Sequence, residues 1–325
     1  MPLFDFPLDK LETYKPPSPE QPDFDDFWSR TLAEARAHPL DFTVELVDFG
    51  LSLIETYDAT FSGYDGQRIK GWFMLPKNRT EPLPGVVEYL GYGKGRGYPH
   101  TWIKWVTAGY AYLLMDTRGQ GGAANPGATP DLFDGANPSH PGFTTQGIMN
   151  PETYYYRRLY TDAVRAAEAL ANHPAVDENR IVATGVSQGG GMTVAISGLA
   201  PDLIKVAMAD VPFMCDIARA ITLVQGVYNE IRRYLSVHRE AEEQVLKTVS
   251  YVDGVSLAKR SRARAYYSTG LMDDICPPSG VFAAFNHIPD DVPKEIAVYK
   301  YSGHDAGGDY HHMRKLKWLQ DVWTQ

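Results

Sequence analysis

Serine, aspartate and histidine, the side chains that together can run acyl transfer, occur in that order along this chain, each beside glycines or in a short polar loop. Ser187 lies in "RIVATGVSQGGGMTVAISGLA", between Gly185 and Gly189, with two more glycines behind it. The stretch "GVSQG" fits G-x-S-x-G, the sharp turn that carries a nucleophilic serine from a strand into a helix. Crowding explains the glycines: the serine backbone is strained there, and a Cβ two residues to either side meets a neighbouring strand or helix. The bare pattern is weak, because a glycine-rich helix cap reads the same way. Its flanks strengthen it, since β-prone "RIVATG" precedes the serine and a helical pattern follows.

A serine hydroxyl needs a base to take its proton and a third group to orient that base. Behind such a turn the acid and then the histidine follow in loops after later strands. "LMDDICPP", after the strand-like "AYYSTG", supplies Asp273 and Asp274, and "GHDAGG", after "EIAVYKYS", supplies His304. Two adjacent aspartates cannot both face one imidazole, and spacing does not choose between them. The tetrahedral intermediate of acyl transfer needs N–H donors aimed at its oxyanion. One is expected from the amide of Gln188 at its helix start, the other from "YLGYGKGRG", where Tyr92 or Gly91 is the natural donor. That loop matches neither a dinucleotide fingerprint nor a P-loop. "GHDAGGDYHH" gathers His304, Asp305, Asp309, His311 and His312 but lacks HExxH, and His311 and His312 are expected to begin the last helix as exposed residues. No metal and no cofactor are expected. Trp102, Trp105 and Tyr154 to Tyr156 are expected to pack in the core or an interface rather than stack on sugars.

Strands alternating with helices must position these groups, and the pattern supplies them. Proline-rich "YKPPSPEQP" and the helix-like "DFDDFWSRTLAEARAHP" form an N-terminal arm of about forty residues. The runs "FTVELVDFG", "IETYDATFSG" and "RIKGWFMLP" predict an antiparallel opening to a sheet. From Pro84 onward, strands "GVVEYL", "AYLLMD", "RIVATG", "IKVAMAD", "RARAYYSTG" and "EIAVYKYSG" alternate with helical stretches, among them "HTWIKWVTAG" and "YTDAVRAAEALANHP". Such alternation predicts an α/β fold with a mostly parallel, doubly wound sheet. Residues 125–151 read as an ordered loop, and 213–260, helical in pattern ("VYNEIRRYLSVHREAEEQVLKTV"), as an insertion long enough to cap the strand ends. No repeat or linker divides the 325 residues, so one domain over 1–325 is expected.

Composition narrows the partners. A net charge of −9 with scattered basic residues argues against nucleic acid. Cys215 and Cys276, alone and far apart, suit a reducing compartment and make neither a disulfide framework nor a zinc site. The N-terminus lacks a secretory h-region, and the longest apolar run, near "WVTAGYAYLLM", is too short to span a membrane. A cytoplasmic, membrane-free protein is expected.

With those residues in place, the chain resembles carbohydrate esterase family 7, the acetyl xylan esterases and cephalosporin C deacetylases of the α/β-hydrolase superfamily. The resemblance runs from "LFDFPLDKLETYKP" and "FSGYDGQRIKGW" through "MDTRGQGG" and "TYYYRRLYTDAVRAAEAL" to "GVSQGGG" and "GLMDDICPPSGVFAAFNH". It implies Ser187 as nucleophile, Asp273 as acid, His304 as base, and the amides of Tyr92 and Gln188 as oxyanion donors. Arg118 and Gln120 of "RGQ" match its signature and are expected to organise the site. Asp305 stands where the family usually has Glu, which leaves any bond from the longer side chain in doubt, and Lys94 stands where a small or polar residue is common. The implied activity is removal of acetyl groups from small acetylated sugars, such as xylo-oligosaccharides, and from cephalosporin C, through an acetyl-enzyme. The implied assembly is a homo-hexamer, a dimer of trimers. A peptidase or lactonase on the same fold, or a silent interaction module, are the alternatives.

Overall fold

A computed structural model describes residues 3, 5–131, 139 and 141–324. Helices α1 (Leu8–Thr13) and α2 (Phe24–Ala37) lead into strands β1 (Thr43–Val47), β2 (Ile54–Ser62) and β3 (Arg68–Pro76). Then come β4 (Leu83–Tyr89), α3 (Lys104–Thr107), β5 (Ala111–Met115), α4 (Tyr155–Ala171), β6 (Val176–Val186), α5 (Gln188–Leu199) and β7 (Val206–Asp210). Four short helices follow: α6 (Ile217–Leu223), α7 (Asn229–Val237), α8 (Glu242–Ser250) and α9 (Gly254–Ala258). The chain closes with β8 (Arg264–Gly270), α10 (Pro278–His287), β9 (Lys294–Tyr299) and α11 (Gly308–Thr324).

The strands form one sheet in the order β1-β2-β3-β5-β4-β6-β7-β8-β9. β1 to β3 run antiparallel, β3 meets β5 antiparallel, and every pair from β5 to β9 is parallel. Parallel strands joined by helical crossovers all end at one edge, so the loops after β4, β6, β7, β8 and β9 share that edge. Alternating side chains feed two cores. Val87, Tyr89, Leu113 and Ala183 pack toward α2, α4 and α5, whereas Val86, Leu114, Val182 and Met208 pack toward α3 and α11.

Three elements depart from the pattern. "HTWIKWVTAG" yields only the four-residue α3 behind a 3₁₀ turn at Pro99–Trp102, because it presents just Trp105 and Val106 to the core before Gly109 turns at φ +95°. Within the helical pattern of 227–249 the chain breaks at His238 (φ −100°, ψ 67°), leaving α7 and α8 as separate helices. Residues 236–240 are all exposed, so no buried stripe holds a helix through them. The N-terminal arm contains α1, whose Leu11 is fully buried. Of the loop expected over 125–151, residues 132–138 and 140 lie outside the described residues. No helix among the described residues is long and apolar enough to cross a membrane.

Candidate active site

β6 runs straight into α5 with Ser187 as the only joint, and that joint is bent to φ 60°, ψ −118°. A side chain rarely accepts such a backbone, and here the surroundings hold it. The Ser187 amide donates to the Asp210 carbonyl (2.9 Å), and the Ser187 carbonyl accepts from Gly191 (2.9 Å) and Phe213 (3.0 Å). Each glycine nearby has its own reason. A Cβ on Gly185 would lie 2.4 Å from the Gly189 carbonyl carbon, and one on Gly189 would lie 2.0 Å from the Tyr89 carbonyl oxygen. A Cβ on Gly190 or Gly191 would likewise come within 2.6 Å of the Asp210 carbonyl oxygen or 2.2 Å of the Phe213 carbonyl oxygen. The four glycines therefore let α5 press against the ends of β4 and β7.

Asp273 and His304 come together as expected. His304 Nδ1 lies 2.9 Å from Asp273 Oδ2, and Asp273 is fully buried. The other carboxylate oxygen accepts from the amides of Ile275 and Cys276 at 2.9 Å each, which fixes its orientation. Asp274 is only half-buried. Ser187 and His304 line one cavity of about 400 Å³ with Gly91, Tyr92, Lys94, Trp102, Val227 and Ile275. Among the described residues no hydrogen bond joins the Ser187 hydroxyl to the imidazole. The hydroxyl instead lies within reach of the Cys276 thiol, which burial pushes well above its usual range of ionisation.

The two amides expected to receive an oxyanion, those of Tyr92 and Gln188, have no acceptor among the described residues. Their side chains are tightly held. The Tyr92 hydroxyl donates to Glu230 on α7 (2.7 Å) and accepts from the amides of Gly142 and Phe143 (3.1 and 2.8 Å). Burial, chiefly, and the adjacent Glu230 carboxylate push that phenol up. Gln188 Oε1 accepts from Gln120 Nε2 (2.9 Å) and the Tyr156 hydroxyl (3.1 Å). Gln120 Oε1 accepts from the Gly93 amide (2.7 Å), so Gln120 ties the β4 loop to the start of α5. Arg118 is 1% exposed and grips Asp162 of α4 through two nitrogens, at 2.5 and 2.7 Å. Arg118 and Gln120 of "RGQ" thus both act on the frame of the site.

The aromatic reading divides. Trp105 and Tyr154 to Tyr156 are buried, whereas Trp102 is half-buried and lines the Ser187 cavity. One expectation is corrected. His311 is not an exposed residue at the start of the last helix: it is 2% exposed, its Nδ1 2.9 Å from the Tyr299 hydroxyl and its Nε2 3.0 Å from Asp210 Oδ1. The ring sits on the face of α11 that packs against the sheet, where buried Asp210 at the end of β7 draws it in. His312 is also turned inward, against Trp105, and burial holds its imidazole down at about 4. Asp309 pairs instead with Lys104 (2.5 Å). Among the described residues no three acidic, histidine or cysteine side chains converge in a metal-binding group. Asp305 stays at the surface, its carboxylate 3.3 Å from the Ser302 hydroxyl and the Gly307 amide.

Sequence reasoning missed Asp210, Lys315 and Glu230. Asp210 carried a signal, an acid ending the apolar run "IKVAMAD" at the functional edge; Lys315 and Glu230 look like ordinary surface-helix residues.

Known proteins share this frame. The acetyl xylan esterase family profile matches residues 1–322. A solved acetyl xylan esterase from a Paenibacillus species is 38% identical, with 97% of this chain and 99% of that one covered at a TM-score of 0.89. Acetyl xylan esterase 1 from a Thermoanaerobacterium species is 32% identical, covering 98% and 99%, with a TM-score of 0.87. Acetyl esterase Axe7A from Xylanibacter ruminicola is 26% identical over 314 residues, 95% of this chain and 69% of that protein. The fold is therefore that of the α/β-hydrolases, and the chain belongs to the acetyl xylan esterase family of carboxylic ester hydrolases.

Proposed function

We propose that Ser187, His304 and Asp273 form a proton-transfer chain that removes acetyl groups from small acetylated carbohydrates, xylo-oligosaccharides among them. His304 Nε2 takes the Ser187 proton as Oγ attacks the acetyl carbonyl, and Asp273 holds the imidazole by Nδ1 and offsets its charge. The amides of Tyr92 and Gln188 receive the oxyanion. The tetrahedral intermediate collapses with loss of the sugar alcohol, protonated by His304, and leaves an acetyl-enzyme. Water, deprotonated by the same imidazole, then attacks the acyl carbon and releases acetate. In this reading the Ser187 hydroxyl swings from Cys276 to Nε2 when an ester is bound, as bonds that are loose in the free enzyme tighten around substrate.

The observation that carries the reading is the 2.9 Å bond between His304 and the buried Asp273 carboxylate, in a cavity shared with a serine on a strained strand-to-helix turn. About 400 Å³ lies in the range of small-molecule pockets and favours short esters over a polymer. The half-buried Trp102 on the cavity wall offers an apolar face to a sugar ring. The family resemblance extends the reading to cephalosporin C and to a homo-hexamer, the two isolated cysteines favour a cytoplasmic location, and Val227 in the cavity wall supports residues 213–260 as a cap within one domain.

Ser187→Ala tests the reading through turnover of p-nitrophenyl acetate and acetylated xylobiose. Loss of at least about 10³-fold in kcat is expected. An alanine variant that keeps most of its activity refutes the nucleophile assignment, and hydrolysis of a chromogenic dipeptide in place of both esters favours the peptidase alternative.

A further inference from the structure

The proposed nucleophile and base sit on loops more than a hundred residues apart in sequence, yet one carboxylate stands between their supports. Asp210 ends β7, directly opposite Val186 in the register of β6. Its carbonyl accepts the Ser187 amide at 2.9 Å and so helps hold the bent turn. Its carboxylate faces the other way. Oδ2 accepts from Lys315 Nζ at 2.6 Å, and Oδ1 accepts from the Ser268 hydroxyl at 2.9 Å and meets His311 Nε2 at 3.0 Å. Lys315 also donates to the Thr184 hydroxyl on β6, at 3.0 Å.

His311 and Lys315 are one helical turn apart on the same face of α11, which begins only four residues past His304. The same His311 ring reaches the Tyr299 hydroxyl at 2.9 Å, and Tyr299 ends β9, the strand that feeds the His304 loop. The ring of Tyr299 also fills the space a Cβ on Gly307 would need, 2.6 Å away, so the loop rests on it. Both ends of the loop, Tyr299 and the first turns of α11, are thus joined through His311 and Lys315 to a single residue. That residue also holds the nucleophile's backbone.

We propose that Asp210 is a positioning residue that sets the His304 imidazole against the Ser187 hydroxyl by tying α11 to the strand-to-helix turn. The inference rests on the assignment of Ser187 and His304 above. An alignment role of this kind fits a site that must bring two loop-borne groups within a few tenths of an ångström of each other. Despite burial, which acts the other way, Lys315 and His311 hold the Asp210 carboxyl down at about 2, so it is charged throughout the working range.

Asp210→Asn keeps the shape and removes the charge. It is expected to lower kcat on p-nitrophenyl acetate by about 10- to 100-fold with KM changed less than about threefold, and to slow fluorophosphonate labelling of Ser187 by a similar factor. Because an unpaired Lys315 destabilises the single variant, Asp210→Asn/Lys315→Met is the companion: neutralising both partners restores the unfolding midpoint while kcat stays low. A merely structural role predicts the opposite, kcat returning together with stability. Wild-type kcat, within about threefold per labelled serine, in either folded variant overturns the proposal. That result leaves the nucleophile assignment standing, whereas an active Ser187→Ala variant removes it whatever Asp210 does.

Discussion

At the scale of single residues, the site is built from groups whose freedom has been removed. Ser187 holds φ 60° because its amide and carbonyl are both engaged and because glycines let neighbouring backbone close in. Gly189 is the tightest of these, and its neighbour is main chain, the Tyr89 carbonyl, which has no side-chain end to swing away. Gly189→Ala therefore forces α5 and the end of β4 apart. We expect a loss of roughly 3 kcal/mol or more in stability, seen as a lowered midpoint in chemical denaturation, and Ser187 labelling slowed in the protein that remains folded. An alanine variant with wild-type stability and labelling contradicts this account of the turn. Ser187, Asp273 and His304 were legible in the sequence because each follows a strand in a loop with its own signature. The choice of Asp273 over Asp274 was not, since nothing in "MDDI" tells which carboxylate the loop amides will grip. His311 misled because a histidine near a helix start usually faces water, and the acid that draws it inward lies a hundred residues earlier.

At the scale of elements, the edge that carries the candidate site is held by pieces that arrive from far along the chain. α7 is the clearest case. Glu230 accepts from the Tyr92 hydroxyl, the Thr144 hydroxyl (2.6 Å) and the Thr144 amide (3.3 Å), so one carboxylate fastens the helical insertion to the loop of the proposed oxyanion donor. All three bonds land on Oε2, and the Tyr92 hydroxyl also lies 2.9 Å from Oε1, so Glu230→Gln removes the charge that strengthens them and sets an NH2 group against the Tyr92 hydroxyl. The Tyr92 loop should then be less well aimed at the oxyanion, which lowers kcat by about 10-fold with a smaller effect on KM, below the 10²–10³ typical of deleting a donor. Steady-state kinetics on p-nitrophenyl acetate read this directly, and an unchanged kcat shows that α7 does not support the donor loop. The strands were legible as runs along the chain, antiparallel at first and mostly parallel after, since each apolar run is bounded by turn residues; their order in the sheet was not, because it depends on which crossovers bring distant runs side by side. The breaks at α3 and His238 were not, because helical periodicity persists through segments whose side chains find nothing to pack against.

For the molecule as a whole, the N-terminal arm works as a strap across the insertion and the later half of the sheet. Asp5 accepts from the Ser279 amide at the start of α10 (2.7 Å) and pairs with Arg219 of α6 (2.9 Å). The Tyr14 hydroxyl donates to Asp216 at 2.9 Å, and Asn286 of α10 donates to the carbonyls of Leu11 and Tyr14 at 3.1 and 2.8 Å. Beyond the prolines, Trp28 of α2 donates to the Tyr251 carbonyl at 2.8 Å. Leu11 is the apolar anchor of the first part, packed with Leu271 and Phe282. Leu271 opens the loop that carries Asp273, yet Asp273 is held by amides within that loop rather than by the arm. Leu11→Ala therefore separates stability from catalysis. Truncating a fully buried leucine costs about 2–4 kcal/mol, which lowers the unfolding midpoint by roughly 5 °C or more. At 25 °C the folded variant should keep kcat within about twofold, because the bond between His304 and Asp273 does not pass through the arm. Thermal unfolding followed beside esterase activity measures both quantities on one sample. A large fall in kcat without a fall in the midpoint would mean that the arm aligns the Asp273 loop as well as fastening it down.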